Sequence, residues 1–73
     1  MAVKISKVEG PSWNERIRIL RVTNRLSQRE AAEAFGVNRR TFIRWEQGVN
    51  MPPEGSKHRI AKFFGKRVNE IWY

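Results

Sequence analysis

Leu26-Ser27-Gln28-Arg29-Glu30-Ala31-Ala32-Glu33-Ala34-Phe35-Gly36-Val37-Asn38-Arg39-Arg40-Thr41-Phe42-Ile43-Arg44-Trp45-Glu46-Gln47-Gly48 holds two short helices and the corner between them. Ser27 and Glu30 form an S-x-x-E capping box, in which each residue satisfies free backbone N–H groups at a helix start. Ala31, Ala32 and Phe35 follow at helical spacing, which predicts a helix over 28–35. Gly36 stands where that helix must end and where a positive φ is needed. Asn38 is a good N-cap for a next helix over 39–47, closed by Gly48. Two helices joined by so tight a turn cross steeply only where small residues meet. Ala32 meets that need, Gly36 makes the corner and Val37 plugs it.

At about 100° per residue, Phe42 and Trp45 lie on one side of the 39–47 helix and face back onto its predecessor. Arg39, Arg40, Ile43, Arg44 and Gln47 fall together on the opposite arc. Three arginines with one apolar residue among them make an odd surface for a helix that meets only water. A DNA major groove uses both kinds of side chain, because arginine forks pair with guanine O6 and N7 and an apolar group meets a thymine methyl. An ordinary solvated basic face is the alternative.

Upstream, Ser12 and Glu15 form a second capping box, and Trp13, Ile17 and Leu20 give a first helix near 12–23 that ends in a turn at Asn24-Arg25. Residues 1–11 carry no helical period, and Gly10-Pro11 closes them off as a flexible or extended N-terminal arm before a single domain, 12–73. Downstream of Gly48, Pro52-Pro53 marks a loop. Ser56 is expected to cap a fourth helix bearing Ile60, Phe63 and Phe64 and ending at Gly65, and Val68 to Trp72 add a last turn or two. No internal repeat or low-complexity segment interrupts this pattern.

The whole chain is 73 residues long and has no cysteine, so neither a disulfide framework nor a thiolate zinc site can hold it together. A chain of this length buries only about 60% of its unfolded surface, so its three Trp, four Phe and one Tyr must anchor the packing. Trp13, Trp45, Phe63, Phe64 and Trp72 are assigned to the core rather than to base-stacking platforms. Fifteen Lys and Arg against seven Asp and Glu leave a formal charge of +8, which points to a polyanionic partner, nucleic acid ahead of a membrane surface. Only the 27–36 segment is net acidic, so the excess belongs to the fold and not to a detachable tail. No apolar stretch approaches a membrane span or a signal peptide, and the expected location is the cytoplasm, on the nucleoid through DNA binding. Glu54 and His58 lie four apart, but two ligands without a third make a solvated pair and not a metal site. The single histidine has no plausible nucleophile and base around it. No catalytic residue, metal or cofactor is expected.

These residues resemble the phage-repressor and Cro-like (XRE-type) helix-turn-helix family, from roughly Trp13 to Trp72. The 26–38 stretch is similar to its "LSQxELAxxxGVS" pattern, and Phe42-Ile43-Arg44-Trp45-Glu46-Gln47-Gly48 to its "ISRWENG" ending. The resemblance implies an all-α, compact four- to five-helix, lambda-repressor-like domain whose helix-turn-helix is 28–47 and whose recognition helix is 39–47. It implies base reading by Arg39, Arg40, Ile43 and Arg44. Sugar-phosphate contacts would come from Ser27, Gln28, Asn38, Thr41, Gln47 and Asn50, with Gln28 also bracing the recognition helix. Ala32, Gly36, Val37, Phe42 and Trp45 would be structural, and Arg21 with Glu46 would tie the first helix to the third.

Three departures from the pattern stand out. Ala31 replaces a preferred leucine, with Phe35 or Trp13 expected to fill the volume, and Ile43 replaces a commonly polar residue. Ile19 and Val22 are apolar where the family is often charged; they either pack under the arm or mark a partner surface. The function implied is a sequence-specific regulator of transcription, a repressor. It would bind double-stranded DNA as a weak dimer built from the fifth helix or the arm, with half-sites about 34 Å apart. The rival is an antitoxin-like or adaptor module whose main partner is a toxin or co-regulator and which also binds DNA. Single-stranded RNA binding is a third idea, weakened because the aromatics follow the buried period.

Overall fold

A computed structural model describes residues 11–73. Among them are five α-helices and no strand: α1 (Trp13–Thr23), α2 (Gln28–Phe35), α3 (Arg39–Glu46), α4 (Glu54–Phe63) and α5 (Val68–Ile71). The expected arm over 1–11 lies outside the described residues except for Pro11, whose carbonyl accepts from Arg16 Nη1.

Each start has a local cause. At α1, the Ser12 amide donates to Glu15 Oε1 at 3.3 Å and the Ser12 hydroxyl donates to Asn14 Oδ1 at 2.6 Å. At α2 the box closes in both directions: Ser27 N–H to Glu30 Oε1 is 2.8 Å, and Glu30 N–H to Ser27 Oγ is 3.0 Å. Asn38 Oδ1 caps α3 by accepting from the Thr41 amide at 2.8 Å. Ser56, expected to cap the fourth helix, instead lies inside it. Helix α4 begins at Glu54, three residues earlier than a Ser56 cap would start it, behind Pro53, whose carbonyl accepts from the Lys57 amide at 2.9 Å. The diproline explains the shift. Pro52 is fully buried, Pro53 arrives extended (φ −60, ψ 161), and Glu54 then meets the positive end of the helix dipole.

The first four helices share one ending. The amide that follows a left-handed residue reaches back to the carbonyl five positions earlier: Leu26 to Arg21 (3.1 Å), Val37 to Ala32 (3.0 Å), Val49 to Arg44 (3.0 Å) and Lys66 to Ala61 (2.8 Å). This geometry forces a left-handed residue. Gly36, Gly48 and Gly65 fill it three times, with φ of 72°, 75° and 68°. The fourth is Arg25 at φ 59°, where a Cβ costs roughly 1–2 kcal/mol. Because of this ending α3 stops at Glu46, one residue short of the expected 47.

Ile17, Ala31, Ala32, Phe35, Phe42, Trp45, Ile60, Ala61 and Ile71 form the core. Phe35 is its hub, with ring centroids 5.8 Å from Phe42 of α3 and 5.8 Å from Phe64; Phe63, expected in the core, is instead 50% exposed and meets Phe35 edge-on at 5.3 Å from the rim. One side chain of α2 thereby joins α3 to α4. Trp13 stacks on Trp72 at 6.4 Å, and Arg16 Nε donates to the Ile71 carbonyl at 2.7 Å while its guanidinium lies 3.6 Å from the Tyr73 ring. These contacts hold α5, a single turn too short to persist alone.

Candidate nucleic-acid interface

Helix α3 is divided by its own period. Phe42 and Trp45 are 0% and 3% exposed, and they direct the rest of the helix outward. Arg39, Arg40, Ile43, Arg44 and Gln47 together line one open concave face. The three arginines are exposed, Ile43 is half-buried at the floor, and Thr41 is half-buried beside them. Among the described residues, ion pairs join Arg21 to Glu46 and Glu54 to Lys57 and His58, and none involves Arg39, Arg40 or Arg44. Their guanidinium groups remain available to an external acceptor.

What holds this face in place is Glu46, buried at 8% exposure on the inner side of the same helix. Its carboxylate accepts from Arg21 Nε at 2.5 Å and Nη2 at 3.3 Å, and from Gln28 Nε2 at 3.1 Å. Arg21 Nη1 also donates to the Leu26 carbonyl at 2.8 Å. One carboxylate therefore ties α3 to α1, to α2 and, through Arg21, to the turn between those two helices. Such a charge needs every one of these donors, because burial without them is costly.

A second depression joins the starts of α2 and α3 and is lined by Ser27, Gln28, Arg29 and Arg39. Ser27 Oγ and Asn38 Oδ1 are already engaged as cap acceptors, so what they offer outward is the Ser27 hydroxyl hydrogen and the Asn38 amide N–H groups. Gln28 turns its Nε2 inward to Glu46. Asn50 is exposed in the loop after α3, between exposed Val49 and Met51. Ala32 is buried at the corner, and Val37 packs against the core from a half-buried position.

Three neighbours of this surface were not singled out from sequence. Arg29 lines the second depression; its place in the first turn of α2, beside Gln28, was the available signal. Asn14 Nδ2 donates to the Glu46 carbonyl at 3.0 Å, and its amide lies 3.2 Å from where a Cβ on Gly48 would be. Arg59 lies over Gly36, 3.2 Å from an equivalent Cβ there. The last two pair residues more than 20 positions apart, and no local pattern encodes them.

Glu54 and His58 form an exposed pair at 3.7 Å, and no group of three metal-ligating side chains occurs among the described residues. No helix among them is long and apolar enough to cross a membrane.

A capped helix, a left-handed glycine corner and a second helix with its basic face outward define a helix-turn-helix module. Residues 15–69 match the helix-turn-helix domain family, and the chain belongs to it, in the phage-repressor, XRE-type branch that its motifs resemble. It is 34% identical over 59 residues to the cryptic phage CTXphi transcriptional repressor RstR of Vibrio cholerae, a match covering 81% of this chain and 53% of the relative. It is also 34% identical over 59 residues to the HTH-type transcriptional activator BcrR of Enterococcus faecalis, covering 81% of this chain and 29% of that one. An uncharacterized HTH-type transcriptional regulator of Methanocaldococcus jannaschii is 33% identical over 57 residues, 78% of this chain and 86% of the relative. The chain thus spans about half the length of the phage repressor and under a third of the activator. No solved structure matches the chain at a significant level.

Proposed function

We propose that this protein regulates transcription by binding double-stranded DNA sequence-specifically, with α3 in the major groove. The observation that carries the proposal is the outward face of Arg39, Arg40, Ile43 and Arg44, whose arginines have no ion-pair partner among the described residues and which buried Phe42, Trp45 and Glu46 fix in direction. Arg39, Arg40 and Arg44 read base edges and Ile43 meets a thymine methyl. Ser27, Gln28, Asn38, Thr41, Gln47 and Asn50 supply contacts to the sugar-phosphate backbone, which fix register. The protein works by binding and not by catalysis, on DNA inside the cell. It acts as a repressor, the role named for the phage relative. Two copies associate weakly and meet a two-fold operator with half-sites about 34 Å apart.

Selection of binding sites from random duplexes tests this reading. One recovered motif is expected, and Arg40→Ala or Arg44→Ala should cost about 1–3 kcal/mol on it and less on random duplex. Equal losses on both would remove these side chains from base reading, and a promoter-reporter assay decides repression against activation.

A second reading is favoured by one observation. Ile19 and Val22 are 51% and 54% exposed on α1, away from α3, and Ile19 borders a groove shared with Leu20, Ile71 and Tyr73. That surface suits the adaptor or antitoxin-like role, with a toxin or co-regulator as partner. Co-purification of one stoichiometric protein that Ile19→Lys abolishes would establish it.

A further inference from the structure

Arg25 stands apart from the other residues in its position. The same helix ending occurs four times, and three of them use glycine. Arg25 alone holds a left-handed backbone with a side chain attached, at φ 59°. Among the described residues no side-chain contact compensates it. The residue is exposed, and its side chain makes no hydrogen bond, ion pair or cation–ring contact among the described residues. A strained backbone under an unengaged guanidinium is the pattern of a side chain held for an external ligand.

Its place is fixed with respect to the arginine face. The next residue, Leu26, is gripped twice by Arg21: its amide donates to the Arg21 carbonyl at 3.1 Å, and its carbonyl accepts from Arg21 Nη1 at 2.8 Å. The same guanidinium binds Glu46 of α3. The turn bearing Arg25 is therefore bolted to the recognition helix through one side chain. Two residues on, Ser27 opens the depression that Arg29 and Arg39 flank.

From this we infer that Arg25 is a phosphate-binding residue, contacting a phosphodiester of the duplex beside the segment that α3 enters. With the backbone of its turn tied to α3 through Arg21, a charge carried there limits how deeply and at what tilt the helix seats. The inference rests on the duplex-binding reading above and adds a residue and a ligand group to it.

Three variants separate charge from backbone. Arg25→Gly removes both the charge and the strain, Arg25→Asn removes the charge but tolerates the left-handed region, and Arg25→Lys keeps the charge. Each is melted thermally and titrated with the duplex recovered by selection at about 50 and 200 mM salt. Arg25→Gly should melt roughly 4–8 °C higher yet bind more weakly. Losing one phosphate contact should shrink the affinity ratio between the two salts by about 3.5-fold in both uncharged variants, and Arg25→Lys should keep the wild-type ratio. Stability and affinity moving in opposite directions supports the inference, since a structural residue moves both the same way. Unchanged affinity and salt ratio in Arg25→Gly overturns it while leaving duplex binding intact. A wild-type protein that binds no duplex overturns both.

Discussion

Glu46→Gln is nearly isosteric and leaves the backbone untouched, so its effect isolates the buried charge. The carboxylate offers two oxygens to three donors at 2.5, 3.1 and 3.3 Å. A glutamine offers one oxygen and presents an NH2 group to a guanidinium or to the Gln28 amide, donor against donor. Arg21, whose side chain is only 13% exposed, loses its counter-charge. Removing one partner of such a pair costs about 3–5 kcal/mol. A domain of 73 residues has roughly 4–11 kcal/mol in total, so the variant should be close to unfolding. With a urea slope near 1 kcal/mol per M, the midpoint should fall by about 3 M or vanish. Trp45, buried beside Glu46 in sequence, supplies the fluorescence signal, and helical circular dichroism supplies the second probe. Arg21→Met with Glu46→Leu should recover most of the loss, because an apolar pair leaves no orphaned charge. A loss under about 1 kcal/mol in Glu46→Gln would refute the account of Glu46 as the tie among three helices.

Phe42→Ala empties the fully buried site beneath α3 and should cost about 3–5 kcal/mol by chemical unfolding. Asn14→Ala removes one hydrogen bond to the end of α3 and should cost about 0.5–1.5 kcal/mol, read in the same melts. Duplex affinity should fall by about 10³ or more between 50 and 200 mM salt if six or more phosphates are met; a slope near zero would contradict an arginine-led interface.

Much of the fold is legible locally. The Ser27–Glu30 box, the Gly36 corner and the Asn38 cap are short-range devices, and each residue sits beside the one it serves. The placement of Phe42 and Trp45 follows from helical period alone. Ser56 shows the limit of such signals: a good cap residue loses to a diproline that presents the chain in extended form three positions earlier. Ala31 is fully buried where a leucine is preferred, and the convergence of the Phe42, Phe63 and Phe64 rings on Phe35 of the same helix is a three-dimensional fact with no local signature. The arginine arc is likewise visible from the sequence, whereas the Asn14–Glu46 bond, the grip of Arg21 on Leu26 and the αL conformation of Arg25 depend on how the helices meet. Periodicity says which side of a helix is wet, but not what lies across the gap.

The bond from Arg16 to the Ile71 carbonyl spans 55 positions. Closing a loop of that length costs chain entropy that one hydrogen bond does not offset, so the pairing of the first and last helices depends on the core between them. The seam between the two ends of the fold is therefore where local opening should start, and hydrogen exchange is expected to be fastest at the α5 amides.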